Sequence, residues 1–205
     1  MQRLNAPTFF DHAIPLAGNQ ALLRNVALVI LGSILLAISA QTKFPIGPVP
    51  VTLQTLVLMV MGATYGWRLA GLTVLTYFAY GIAGLPVFAL PPYTGYLYLA
   101  GGSHTAGFLW GFLIGAMFIG AAAQWGMARN PIMLAGAMLM AHILIYIPGL
   151  AWAMTFIGTF DWLANTDDLF NVYLNPFVVG DTLKILIAVA LVPAAYKAVE
   201  TLRKG

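Results

Sequence analysis

The chain contains no cysteine and very few charges. The lack of thiols excludes disulfides, thiolate metal ligands and cysteine nucleophiles. Only 7% of the 205 residues are charged, against about 25% in an ordinary soluble domain. Four long stretches (25–42, 44–67, 69–128 and 130–160) contain no Asp, Glu, Lys or Arg. Because 61% of the residues are hydrophobic, the composition predicts an integral membrane protein.

Several sequence motifs of nucleotide-binding proteins and hydrolases are also missing. The sequence has no nucleotide-binding P-loop, no His-Glu-x-x-His and no Gly-x-Ser-x-Gly, and its three histidines lack a metal-ligand spacing. We therefore expect no metal site, no cofactor and no catalytic residue. The formal charge of +3 is expected to orient the chain in a bilayer rather than to recruit nucleic acid.

Hydrophobic length predicts six membrane crossings. A spanning helix needs about 20 mainly apolar residues, and six segments fit: 25–42, 52–67, 69–86, 104–126, 131–153 and 176–197. The expected fold is an all-α polytopic membrane protein with one six-helix domain over 25–198. Residues 1–24 lack a central apolar run, so they are predicted to be a cytoplasmic leader rather than a signal peptide, and 199–205 a cytoplasmic tail.

The basic residues predict the orientation of the chain. With the amino terminus inside, Lys43 is the only basic residue of the outer loops 43–51, 87–103 and 154–175. The inner segments then hold seven basic residues: Arg3, Arg24, Arg68, Arg129, Lys197, Arg203 and Lys204. Because positive charge marks the cytoplasmic side, we predict a multi-pass protein of the cytoplasmic (inner) membrane with both termini inside.

Asp181 and Lys184 are charged residues within the sixth segment. A charge near the bilayer centre costs about 2.5–3.5 kcal/mol on insertion scales, so it indicates a function. The spacing i, i+3 places both side chains on one helix face. One interpretation is an ion pair that only holds helices together. The other is a solute pocket, in which carboxylate acceptors and ammonium donors match a small heterocycle carrying N–H and C=O groups.

Three other groups of residues are candidates for the lining of such a pocket. Residues 101–105 (GGSHT) open the fourth segment, with Ser103 as a predicted N-cap. The two glycines, Gly101 and Gly102, would let backbone N–H groups point towards a carboxylate; a plain capped helix start is the alternative. Thr52, Gln54 and Thr55 could line the pocket or merely cap the second segment. Five tyrosines could pack on an apolar ligand or belong to the aromatic belt at the membrane interface: Tyr77, Tyr80, Tyr93, Tyr96 and Tyr98.

Four blocks together resemble one known family. Residues 47–56 (GPVPVTLQTL), 80–89 (YGIAGLPVFA), 107–112 (GFLWGF) and 180–184 (GDTLK) are similar to ordered motifs of the BioY family, the biotin-binding S components of energy-coupling-factor transporters. The resemblance covers about 25–197. It implies the six-helix S-component fold and high-affinity capture of biotin from outside. In that family the Asp and Lys of the last block are implicated in biotin binding.

The resemblance also implies partners and a list of contact residues. It predicts docking to a transmembrane coupling subunit (T component) driven by two cytoplasmic ATPases, with Ser33-x-x-x-Ala37 as a candidate docking surface or an internal contact. The glycines at 107, 111 and 115 raise the same two alternatives, since small residues let helices approach closely. The predicted biotin-binding residues are Asp181, Lys184, Thr52, Gln54, Tyr80, Tyr96, Gly102, Ser103, His104 and Thr105.

One block departs from the family pattern. The family usually has Gly-Pro-Thr-Gly-Gly before its fourth helix, whereas this chain reads GSHTAG over 102–107, and no arginine lies between 69 and 128. We therefore expect backbone amides of the fourth helix, with His104 or Lys184, to take the ligand carboxylate. Three rival functions remain: an S component for another vitamin, a solitary proton-coupled biotin carrier, and an intramembrane hydrolase using Asp181 with His104 or His142.

Overall fold

The computed structural model describes residues 6–204. Arg3, which was predicted to lie on the cytoplasmic side, is outside the described residues. Within them the chain is mainly helical. The elements in chain order are α1 (Phe9–Ala13), α2 (Gly18–Gln41), β1 (Lys43–Phe44), β2 (Val51–Thr52), α3 (Gln54–Ile82), α4 (Ala106–Gln124), α5 (Pro131–Met154), α6 (Thr166–Tyr173) and α7 (Asn175–Leu202). A π-helical turn at Tyr98–Gly102 and a 3-10 turn at Met127–Arg129 complete the described elements.

In the described part of the chain, five helical stretches are long and apolar enough to cross a membrane: α2, α3, α4, α5, and α6 together with α7. The predicted segments 104–126 and 131–153 agree with α4 and α5 within two residues. The first predicted segment begins too late, because α2 already starts at Gly18, inside the predicted leader. The second and third predicted segments both fall in the single element α3, which begins two residues later and ends four residues earlier than they do.

Gly66 divides α3 into two arms. Its φ of 76° and ψ of 166° are not helical, and glycine adopts this conformation without the penalty that a Cβ brings. The amide of Gln54 in the first arm donates a 3.1 Å hydrogen bond to the hydroxyl of Tyr77 in the second. A straight helix would separate these residues by about 35 Å. The arms therefore fold back on each other and run antiparallel.

The cluster of basic residues lies at one end of the helices. Arg24 pairs with Asp11 of α1 and donates to the carbonyl of Phe10 at 3.0 Å. Arg129, after α4, pairs with Glu200 near the end of α7 at 2.9 Å. Arg129 also contacts His12 of α1 at 3.1 Å, so α1, the start of α2, the α4–α5 connection and the end of α7 meet there.

Glycines on α4 face α5 rather than lipid. A Cβ added at Gly111 would lie 2.6 Å from the carbonyl oxygen of Ile145, and one at Gly115 would lie 2.9 Å from the side chain of the same residue. Gly107 packs in the same way against Trp152. The structure therefore supports the internal-packing interpretation of the 107/111/115 glycines and leaves no role for this face in docking.

The exposed face of α2 is apolar, as expected for contact with lipid. Leu22, Leu23 and Leu31 are more than 60% exposed. Ser33, by contrast, is completely buried and donates to the carbonyl of Ile30 at 2.9 Å, while Ala37 is half-buried. The predicted docking pair thus lies on the inward side of this helix.

Two predicted outer loops contain structure of their own. Residues 43–52 form a short hairpin with Lys43 opposite Thr52. The acidic segment 154–175 contains α6, which the sequence reading missed. Asn165 and Asp168 form a reciprocal capping box at its start, and Leu163, Leu169 and Tyr173 are buried in a small core.

Candidate functional site

Asp181 and Lys184 lie side by side on α7, both about 5% exposed. Asn175 and Pro176 begin this helix, and the pair follows after about two turns. The Lys184 ammonium is 2.9 Å from an Asp181 carboxylate oxygen. The predicted i, i+3 pairing is therefore present. Two buried opposite charges in contact are neutral as a unit, which lowers the cost of placing them inside the protein.

Other helices supply further partners for this pair. Thr55 of α3 donates its hydroxyl to Asp181 Oδ1 at 3.0 Å and accepts from the Lys184 ammonium at 2.9 Å. Tyr146 of α5 donates to Asp181 Oδ2 at 2.8 Å. Three donors therefore converge on one carboxylate, and residues of α3, α5 and α7 hold it in a single orientation.

His142 lies one helical turn before Tyr146 on the same face of α5. Its Nδ1 is 2.9 Å from the carbonyl oxygen of Met138, and its Nε2 is 3.7 Å from Asp181 Oδ2. The side chain is buried, and within residues 6–204 the Nε2 atom has no hydrogen-bond partner. The described residues contain no group of three or more His, Asp or Glu side chains suited to a metal ion.

These polar groups form one wall of a cavity with an empty volume of about 720 Å³, part of it open to solvent. The remaining walls are largely apolar and aromatic. They come from the β-hairpin, from 89–98 and from α4, α5 and the α6–α7 region: Val49, Pro50, Ala89, Leu90, Tyr98, Phe108, Leu109, Phe112, Ile145, Tyr173 and Phe177. A mainly apolar pocket with a few convergent polar groups is the usual form of a small-molecule site.

Five of the ten predicted binding residues line this cavity: Thr52, Gln54, Thr105, Asp181 and Lys184. Gln54 is buried and bonded to Tyr77. The structure thus brings together the polar start of α3, the start of α4 and the charged pair of α7, which are far apart in sequence.

The other five predicted binding residues are not among the lining residues. Tyr96 is 63% exposed, Tyr80 packs against the core, and Gly102 is exposed at the end of the π-helical turn. Ser103 is buried, and its carbonyl accepts from the Trp152 indole at 3.1 Å. Ser103 does not cap α4: the N-cap position is Thr105, whose amide and hydroxyl bond the Ser103 hydroxyl.

His104 lies in an aromatic cluster above the cavity. Its Nδ1 is 2.6 Å from the Tyr173 hydroxyl, and three further rings (Phe156, Phe160 and Trp162) contact it edge-on. His104 precedes α4 and lies outside the membrane-spanning helices; burial there lowers its pKa to about 4. A neutral imidazole does not act as a cation towards a carboxylate at neutral pH.

Two polar contributors were missed in the sequence analysis, and one was left undecided. Tyr146 was not singled out, His142 was considered only as a catalytic or metal partner, and Thr55 was left between lining and capping. The signal for the first two was available. His142 and Tyr146 are four residues apart, so they lie on one face of an otherwise apolar helix, and polar side chains inside a membrane helix usually face the protein interior.

Comparison with known proteins gives the family and the fold. The BioY family model matches residues 11–201. A probable biotin transporter BioY of Rickettsia prowazekii is 31% identical over 65% of this chain and 67% of its own length. One from Pyrococcus horikoshii is 32% identical over 82% of this chain and 93% of its own length. The crystal structure of the S-component for biotin from an ECF-type ABC transporter aligns with a TM-score of 0.70 at 21% identity, covering 93% of this chain and 96% of that one.

Proposed function

We propose, from the premise that the chain belongs to the BioY family, that it captures biotin and serves in biotin uptake across the cytoplasmic membrane as an S component. The names of its relatives support biotin as the solute, and the fold is that of a biotin S-component. We therefore propose a transport subunit rather than an enzyme.

The observation that carries the proposal is the buried Asp181–Lys184 pair at the cavity wall. The ureido ring of biotin carries N–H donors and one C=O acceptor. A carboxylate can accept from an N–H group, and an ammonium can donate to the C=O. Because Thr55 bridges the two side chains, donor and acceptor stand at a fixed separation, which favours a rigid polar ring over a flexible ligand.

The apolar walls would enclose the rest of the ligand. Phe108, Phe112 and Tyr173 line the cavity and offer surface for the thioether ring and the valeryl chain. Thr105 at the start of α4 also lines it, so we propose that the carboxylate lies towards the helix amino terminus, where N–H groups favour an anion. Of the other predicted contacts, Ser103 supports Thr105 through a 2.9 Å contact between their hydroxyls. Tyr80, Tyr96, Gly102 and His104 do not line the cavity.

We further propose six crossings with both termini in the cytoplasm. The two antiparallel arms of α3 would supply the second and third crossings, although the first arm is shorter than the usual spanning length. The end that gathers Arg24 and Arg129 would face inside. A T component would then contact the protein within the membrane, and the ATPases would act from the cytoplasmic side. Lipid is the other partner.

Calorimetry on the purified protein in detergent tests the solute and the site. Asp181→Asn and Lys184→Ala are expected to weaken biotin binding about ten- to a hundredfold, because each removes one of the two charged groups proposed to hold the ureido ring. Each also leaves its partner's buried charge uncompensated, which lowers the stability of the fold. Asp161→Asn and Lys197→Ala are matched controls, since both residues are exposed and neither lines the cavity. Unchanged affinity in both site variants would contradict the assignment.

Two further measurements separate the rivals. Competition with riboflavin, thiamin and biotin analogues identifies an S component for another vitamin, which would bind one of those ligands in preference to biotin. Uptake into cells distinguishes the energy source: dependence on ATP supports ATPase partners, whereas collapse with an uncoupler alone supports a solitary proton-coupled carrier.

A further inference from the structure

His142 lines the cavity, and its Nε2 atom has no hydrogen-bond partner in residues 6–204. The contact between Asp181 and Lys184 does not explain this nitrogen. The Met138 carbonyl can only accept a hydrogen bond, so the 2.9 Å contact assigns the hydrogen of a neutral imidazole to Nδ1. Nε2 then carries a lone pair. It is a buried acceptor without a partner in residues 6–204, and leaving such a group unsatisfied is unfavourable.

The neighbour of this nitrogen is also an acceptor. An ionised carboxylate has about four lone-pair sites, and Asp181 uses three of them for Lys184, Thr55 and Tyr146. The remaining site is on Oδ2, which lies 3.7 Å from His142 Nε2. Two acceptors therefore face each other across a gap in the cavity wall. A hydrogen-bond donor placed between them, about 2.9 Å from each, would satisfy both.

We propose that His142 is a specificity-determining residue: its Nε2 and the free site of Asp181 together accept one N–H of the ligand ring. This inference rests on the proposed function, in which that N–H belongs to the ureido ring of biotin. The same N–H cannot be replaced by an ether oxygen or an N-methyl group, because both acceptors would then stay buried and unpaired. Such sites discriminate strongly against analogues that lack the donor.

Two substitutions separate this role from a structural one. In His142→Asn the side-chain amide reaches the Nδ1 position, so the bond to Met138 can persist while the Nε2 acceptor is lost. In His142→Gln the amide oxygen reaches the Nε2 position, so the acceptor is kept and the Met138 bond is lost. Thermal unfolding in detergent verifies that each variant is folded. Of the two, His142→Gln keeps the acceptor at the Nε2 position that the proposal needs.

The experiment is calorimetry of wild type, His142→Asn and His142→Gln with biotin and with biotin methylated at either ureido nitrogen. We expect His142→Asn to bind biotin about tenfold or more weakly and His142→Gln within a few-fold of wild type. We also expect wild type to reject one methylated analogue far more strongly than His142→Asn does. The reverse ranking of the variants, or equal affinity in all three proteins, would overturn the proposal.

A second readout reports the imidazole directly. With ¹⁵N-labelled histidine, the ligand-free protein should show a protonated Nδ1 and a bare Nε2 for His142, and biotin should shift the Nε2 signal. An imidazolium in the ligand-free protein would mean a direct ion pair with Asp181, and the inference would fall. Absence of biotin binding by folded wild type would instead refute the proposed function, and this inference with it.

Discussion

Tyr146 on α5 donates its hydroxyl to Asp181 on α7 at 2.8 Å. Both residues line the cavity, and the bond joins two helices at the point where the ligand is proposed to bind. A tyrosine has two side-chain torsions and loses little entropy when fixed. Tyr146 therefore orients the carboxylate at low cost.

Tyr146→Phe should weaken biotin binding while the fold persists. Hydrogen bonds to charged groups contribute about 1.5–3 kcal/mol, which corresponds to an affinity loss of about ten- to a hundredfold. Calorimetry measures the change. Tyr65→Phe is the control, because the Tyr65 hydroxyl bonds the Leu28 carbonyl at 3.1 Å, away from the cavity; it should lower stability without lowering affinity. Equal affinities for Tyr146→Phe and wild type would show that Asp181 keeps its orientation without the phenol.

The contact between α4 and α5 should be intolerant of a single methyl group. In Gly111→Ala the new Cβ would lie 2.6 Å from the Ile145 carbonyl oxygen, so the helices must separate. Overpacking of this kind costs about 1–3 kcal/mol, and we expect a lower midpoint of thermal unfolding in detergent. Gly136→Ala on α5 is the matched control, since nothing lies within 4 Å of its added Cβ. A midpoint for Gly111→Ala equal to that of the control would contradict this packing.

The helical fold and the charged pair could be predicted from the sequence because their signals are local. Apolar length predicts the helices, and the i, i+3 spacing predicts the contact between Asp181 and Lys184. The resemblance correctly indicated the family. Thr55 and Tyr146 are different: they meet Asp181 from α3 and α5, 126 and 35 residues away. Sequence spacing contains no information on which faces of separate helices meet.

Helix boundaries and caps were predicted less well, for a related reason. The predicted N-cap Ser103 instead bonds Thr105, and α4 starts only at Ala106. The tertiary contact of Ser103 with Trp152 holds the chain outside the helix at that point. In the same way, α6 is short and polar at its start, so a search for apolar segments could not find it.

The partly buried His104 predicts how stability depends on pH. Burial lowers its pKa from an ordinary value of 6.5 to about 4. Between these values the unfolded chain binds a proton that the folded chain does not, so the stability of the protein falls as the pH drops from 6.5 towards 4. Above pH 6.5 both states are unprotonated at this residue, and His104 does not make stability depend on pH. His104→Gln should reduce that decline in the unfolding midpoint. An identical decline in the variant would show that another group, not His104, causes the pH dependence.

The Asp11–Arg24 pair should hold α1 against the basic end of the helices. Burial raises the pKa of Asp11, but bonds from the Thr8 amide and hydroxyl together with Arg24 outweigh it, so the net pKa is lowered from 3.8. Its stabilising contribution is therefore complete well above pH 3.8 and is lost as the pH falls below that value. Asp11→Asn should speed hydrogen exchange of the amides in 8–14 at pH 7.

This effect should be confined to one end of the protein. Phe10 packs edge-on against Tyr65 of α3, and Phe9 against Tyr196 of α7, so release of α1 exposes those rings but does not reach the cavity. Biotin affinity of Asp11→Asn should match wild type, and Asp161→Asn should leave exchange in 8–14 unchanged. If Asp11→Asn lowered biotin affinity as strongly as Tyr146→Phe, the two ends would be coupled through α3 and α7, and α1 would act on the binding site rather than only on stability.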